Sequence, residues 1–153
     1  FGFLGLVFSM FFSYAHAQSV VELSQFLGSS KAGELNIDQD YLFGRTPYGL
    51  LTSSKEKFPE GQGPRKIIAE GKAINKLNGS DKRFSNVELV QWKINELDEK
   101  TISVDPSKFN TMENLKVILI LSSVPLSKSE VEQMFSRFTD SDLTILYQYS
   151  EPV

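Results

Sequence analysis

The chain has 153 residues, 41% of them hydrophobic, and a formal net charge of -3. A chain of this length is expected to fold as one domain that buries about two-thirds of its unfolded surface, and 16 basic against 19 acidic residues leave no electrostatic footprint for nucleic acid or anionic lipid. The absence of cysteine excludes disulfides, thiolate nucleophiles, zinc-thiolate sites and iron-sulfur clusters together.

Residues 1–17, FGFLGLVFSMFFSYAHA, carry no charge and close on Ala15-His16-Ala17 before Gln18. An apolar region with an A-x-A-like end predicts a secretory signal peptide. The apolar run Phe1 to Phe12 is shorter than the ~20 residues that cross a hydrocarbon core, and no basic stop-transfer cluster follows it, so a transmembrane anchor is the weaker expectation. The segment has no initiator Met and no basic n-region, and the reading frame is expected to begin upstream. Cleavage would release a secreted or periplasmic chain from Gln18 without a stable membrane anchor, and would remove His16, the single histidine.

In the mature chain, Val20, Leu23 and Leu27 at helical spacing predict a short helix over Ser19 to Leu27, stopped by Gly28-Ser29-Ser30. Tyr41-Leu42-Phe43 and Tyr48-Gly49-Leu50-Leu51 are small apolar islands separated by Gly44 and Pro47. The polar, turn-rich stretch 53–64 is expected to be a loop. Lys66 to Ile74, Val87 to Ile94, Val117 to Leu121 and Leu143 to Tyr149 are rich in β-branched and aromatic residues and predict short strands. Leu126 to Phe135 reads as a helix with Ser127 as N-cap and Glu130 three residues on, a capping box.

The segments that open on Asn86-Val87, Asn114-Leu115 and Asp142-Leu143 are spaced 28 residues apart each time, and a fixed period in the twenties is a signature of stacked repeats. Apolar pairs Val87/Val90, Leu115/Ile118 and Leu143/Leu146 recur in each unit, followed by Trp92, Ile120 and Gln148. The unit Val87-x-x-Val90-x-Trp92-x-x-Asn95-x-Leu97 carries L-x-x-L-x-L-x-x-N-x-L, with Val and Trp standing for Leu, and the chain over about residues 65–153 resembles the leucine-rich repeat family. The resemblance implies an α/β fold with parallel strands in a short solenoid, preceded by a helical and loop segment over 18–64. It further implies that the Asn95 amide holds backbone groups at the turn after its strand, and that Pro106, Phe109 and Met112 lead into the next strand. The competing expectation is a small non-repeat α/β domain whose parallel sheet is covered on both faces.

The solenoid reading places Leu89, Gln91 and Lys93 in columns with Val117, Leu119, Leu121 and with Ile145, Tyr147 and Tyr149, on an open concave face. These columns are mostly apolar, so either they bind a partner or the segment 19–51 folds across them. Leu89, Gln91, Val117, Leu119, Leu121, Ile145, Tyr147 and Tyr149 are therefore the candidate binding face. Trp92 is expected in the core. No serine sits in a G-x-S-x-G elbow, the acids Glu96, Asp98 and Glu99 share one loop, and Asp38-Gln39-Asp40 lacks the rest of a calcium loop. No catalytic residue, cofactor or metal ligand is assigned. Asn78-Gly79-Ser80 is an N-glycosylation sequon, but its Asn-Gly pair reads first as a turn.

The functional expectation is an exported, non-enzymatic module binding a protein or glycan through the concave strand face. The alternatives are a small exported α/β hydrolase-type enzyme using the acids of 96–99, or a fragment of a longer repeat array. The lack of a polar cap after the last strand favours the fragment, since solenoid ends need capping.

Overall fold

The computed structural model describes residues 19–139 and 142–152; the expected signal segment 1–17 lies outside them. Seven strands form one sheet: β1 (Ser19–Glu22), β2 (Tyr48–Leu51), β3 (Glu56–Lys57), β4 (Lys66–Glu70), β5 (Leu89–Ile94), β6 (Val117–Ser122) and β7 (Thr144–Tyr149). Their spatial order is β1-β7-β6-β5-β4-β2-β3, and every pairing is parallel except the short β2-β3 hairpin. The protein is thus α/β with a mostly parallel open sheet and few helices.

The central strands β5 and β6, LVQWKI and VILILS, are buried along nearly their whole length. Such continuous burial is what a parallel strand needs when both faces are covered. One face carries the larger core. Ile67, Ala69, Val90, Trp92, Ile94, Ile118, Ile120 and Ile145 meet apolar residues from all three connections between β4 and β7. Those connections are mostly 3-10 turns with local caps: Asp81 accepts from the Arg83 amide and Asp105 from the Ser107 amide. Phe109 and Met112 enter the core ahead of β6, and Trp92 is fully buried with its indole N–H donating to the Gly71 carbonyl at 2.9 Å.

The opposite face is crossed by three five-residue helices: α1 (Leu23–Leu27), α2 (Ser30–Glu34) and α3 (Gln39–Phe43). Leu23, Phe26, Ala32, Ile37 and Leu42 cluster with Leu89, Val117, Leu119 and Leu146. This segment runs from β1 at one side of the sheet to β2 at the other, so it straps the face that the solenoid reading left open. On the first face, α4 (Lys128–Met134) begins with the expected capping box, Ser127 and Glu130 each bonding the other's backbone N–H.

Several expectations change. Ser19 to Glu22 is a strand rather than the first turn of a helix, because Val20 and Val21 suit a pleated edge beside β7, and the Glu22 carboxylate then caps α1 by accepting from the Ser24 and Gln25 amides. The loop 53–64 contains β3, and the expected strand to Ile74 ends at Glu70, where Gly71 turns the chain at φ 54°. The segment 18–64 is therefore part of the same sheet, contributing three of its strands rather than helices and loop alone.

A basic and aromatic groove on the strand face

The candidate face is largely covered. Leu89, Val117 and Leu119 lie within 2% of complete burial under the strap, and Gln91 is buried with its amide nitrogen donating to the Leu42 carbonyl at 2.7 Å. Leu121 remains half-buried at the margin. The third strand enters one residue out of phase: Leu89 stands opposite Val117, and Val117 opposite Thr144. Leu146 and Gln148 take the places assigned to Tyr147 and Tyr149. Ile145 and Tyr147 join the other face, where Tyr147 packs on the larger core and burial raises its pKa. Since side chains alternate with a period of two, a one-residue slip moves a whole strand's set across the sheet.

What stays open lies where the strap ends. Between α3 and β2, residues Gly44 to Pro47 arch away and expose Phe43 and Tyr48, at 47% and 48% of their surfaces. Together with Phe58 and Pro59 beyond β3, and with Lys66, Ile68 and Gln91 on the strands, they enclose a groove of about 680 Å³. The side chain of Lys66, the first residue of β4, is almost completely buried, and its ammonium donates to the Leu42 carbonyl at 3.1 Å. Burial, reinforced by the charge of Lys93, lowers its pKa. Leu42 closes the last turn of α3, so Lys66 and Gln91 together satisfy a helix C-terminal carbonyl and tie the strap to β4 and β5.

A smaller chamber of about 80 Å³ adjoins the groove, sharing Thr46 and Lys66 as walls, and is completed by Tyr41, Arg65, Glu88 and Leu89. The Tyr41 hydroxyl is buried without a hydrogen-bond partner among the described residues, and burial, with the Glu88 charge adding, pushes its pKa up to about 12. Beyond Arg65 and Glu88 the surface opens again into a polar hollow of about 670 Å³ along the N-terminal ends of β4 to β6. Glu88 accepts from Arg65 Nε at 2.6 Å and pairs with Lys116 at 3.3 Å; burial opposes its ionisation, yet these two cations hold its pKa below the ordinary value.

Of the acids of the alternative reading, Glu96 and Glu99 serve the backbone as a capping box. Glu99 is buried and one of its oxygens accepts from the Asn95 and Glu96 amides, at 2.7 and 3.1 Å, while Asp98 pairs with Lys72 in the open at 2.8 Å. The turn after β5 is thus held by a carboxylate, and the Asn95 side chain, expected in that role, is exposed. Leu97 likewise points outward, 64% exposed. Asp38 caps α3 through the Tyr41 amide, and Asn78 forms the expected turn by accepting from the Ser80 amide. Among the described residues no cluster of three or more His, Asp or Glu is placed to hold a metal ion, and no helix is long and apolar enough to cross a membrane.

No protein-family model, curated protein or solved structure matches the chain. Phe43, Tyr48 and Lys66 were not among the candidate site residues. Their signal in the sequence is two aromatic islands bracketing Gly44-Arg45-Thr46-Pro47, a breaker-rich stretch that keeps aromatics from being covered.

Proposed function

We propose that the chain is an exported, non-enzymatic interaction module that takes a segment of a partner protein in the groove between α3, the β2-β3 hairpin and β4. The observation that carries this reading is the exposure of Phe43 and Tyr48 beside the groove where the strap ends. Aromatic side chains contribute the largest area per ordered torsion at protein interfaces, and exposed ones beside a preformed concavity mark binding surfaces. Export rests on the apolar, uncharged residues 1–17 and their Ala15-His16-Ala17 end.

We also read β4 to β7 as a short, degenerate leucine-rich-repeat-like array. Its support is that these strands succeed one another across the sheet in chain order and that their three connections all pack on one face. In that reading the strap fills the concave side, and binding moves to the rim.

The test is selection of peptides from a displayed random heptapeptide library on the immobilised mature chain. Enriched peptides are expected to lose about tenfold or more in affinity on a Phe43→Ser/Tyr48→Ser variant, a loss of about 1.4 kcal/mol or more, and to bind a Leu97→Ser control unchanged. Enriched peptides indifferent to the groove variant, or none enriched, would overturn the reading. For export, amino-terminal sequencing of the native protein is expected to begin at Gln18; retention of residues 1–17 sinks that part.

A further inference from the structure

Resting on that reading of the groove, we infer that the bound segment carries an aspartate or glutamate beside an apolar residue, and that its carboxylate is received between the Tyr41 hydroxyl and the Lys66 ammonium. Charge points first in this direction. In a chain of net charge -3, the groove is lined by Arg45, Lys57 and Lys66 and, among the described residues, by no acid.

The second observation is that Lys66 is buried without a counter-ion. Its side chain reaches no carboxylate within 4 Å among the described residues, and its acceptor is the neutral Leu42 carbonyl, which Gln91 satisfies at shorter range. Glu88, the acid of the adjoining chamber, is already engaged by Arg65 and Lys116. An ammonium buried against a neutral oxygen costs stability, and an incoming anion recovers that cost.

The third is the Tyr41 hydroxyl, a buried donor with no acceptor among the described residues, on a side chain that belongs to the same chamber as Lys66. Buried polar groups left unpaired are rare in folded proteins. A chamber of about 80 Å³ holds a carboxylate or two waters and little more, so an acidic group fits while its apolar neighbour lies in the groove on Phe43, Tyr48 and Ile68. A segment suits the site better than a free small acid. Groove, chamber and polar hollow share walls in succession, so a segment can engage more than one of them where a free small acid fills the chamber alone.

The experiment is an NMR titration of the mature chain with acetyl-Leu-Glu-Leu-amide, its Gln counterpart and 4-phenylbutyrate, repeated on Lys66→Met and Tyr41→Phe. The Glu peptide is expected to bind at least about tenfold tighter than the Gln peptide, as charge-assisted hydrogen bonds warrant, with shifts centred on Phe43 and Tyr48. In Lys66→Met the preference is expected to fall below about threefold, and in Tyr41→Phe only the Glu peptide should weaken. Lys66→Gln, which keeps a donor for Leu42, carries the same test should Lys66→Met fail to fold. Equal binding of both peptides at the groove overturns the inference and leaves the groove reading standing. Absence of shifts at Phe43 and Tyr48 with every probe overturns both. 4-Phenylbutyrate binding as tightly as the Glu peptide overturns the assignment to a protein segment.

Discussion

Gly71 ends β4 at φ 54°, and a Cβ there would run into the Glu99 carboxylate, which is itself fixed by the Asn95 and Glu96 amides. Left-handed backbone costs a non-glycine residue about 1–2 kcal/mol before any clash, and displacing Glu99 would free two amides at the next turn. Gly71→Ala is therefore expected to lose about 2–4 kcal/mol in urea unfolding; a loss under about 1 kcal/mol would mean that the two turns are not mechanically linked. Glu88 links three strands in the same residue-level way, through Arg65 and Lys116. Its folded pKa lies below the ordinary 4.5, so its ion pairs contribute fully above 4.5 and are lost as pH falls below that value and through the lower folded pKa. Both cations are more than half exposed, which limits the contribution to about 1 kcal/mol. Between pH 6 and pH 3 the stability of Glu88→Gln should fall less steeply than that of the parent chain; parallel curves would show that the pairs contribute nothing.

At the scale of elements, the decisive feature is that both sides of β5 and β6 are covered. Val90 faces the 3-10 turns, Leu119 faces α1 to α3, and both are fully buried. An unpaired buried carboxylate costs several kcal/mol, so Val90→Asp and Leu119→Asp are both expected to abolish or nearly abolish cooperative thermal unfolding, whereas Leu97→Asp should stay within about 0.5 kcal/mol. A mild Leu119→Asp phenotype would mean that the strap does not seal its face. The strands themselves were legible, because runs such as VILILS between turn residues admit little else. The phase of β7 was not: Ile145 and Leu146 read equally well as strap-facing positions, and only the pairing of Thr144 with Val117 decides which set faces the strap. Glu99 was hidden for a related reason. Its spacing from Asn95 and Glu96 reads as a solvated charge run, and its burial follows from where Gly71 turns the neighbouring strand.

Across the whole molecule, one flank of the open sheet is built by residues from opposite ends of the described chain. β1 pairs with β7, and the strap then carries the chain over the sheet to β2 on the far side. Helices of five residues are too short to display a 3.6-residue period, which is why the sequence left open whether the segment 19–51 covers the strand face, and the groove at the strap's end was not visible in it. β1 is consequently more than an edge. Val20 is buried in the core of one face while Val21 packs on the other, and Glu22 starts α1, so this strand fixes both the flank of β7 and the entry of the strap. A chain beginning at Leu23 loses all three functions and exposes the edge of β7, a template for strand pairing between molecules. Compared with a chain beginning at Gln18, it is expected to unfold at a temperature lower by about 10 °C or more, as a loss of several kcal/mol implies for a domain of this size, and to aggregate in a concentration-dependent way by light scattering. The Leu23 chain should also expose Leu89, Val117 and Leu119 as the strap detaches, read as bound hydrophobic dye and as amide exchange rising in β6. Unchanged melting and exchange would show instead that the strap is held by Leu42, Lys66 and Gln91 alone, and that the N-terminal strand only lies against a sheet already complete.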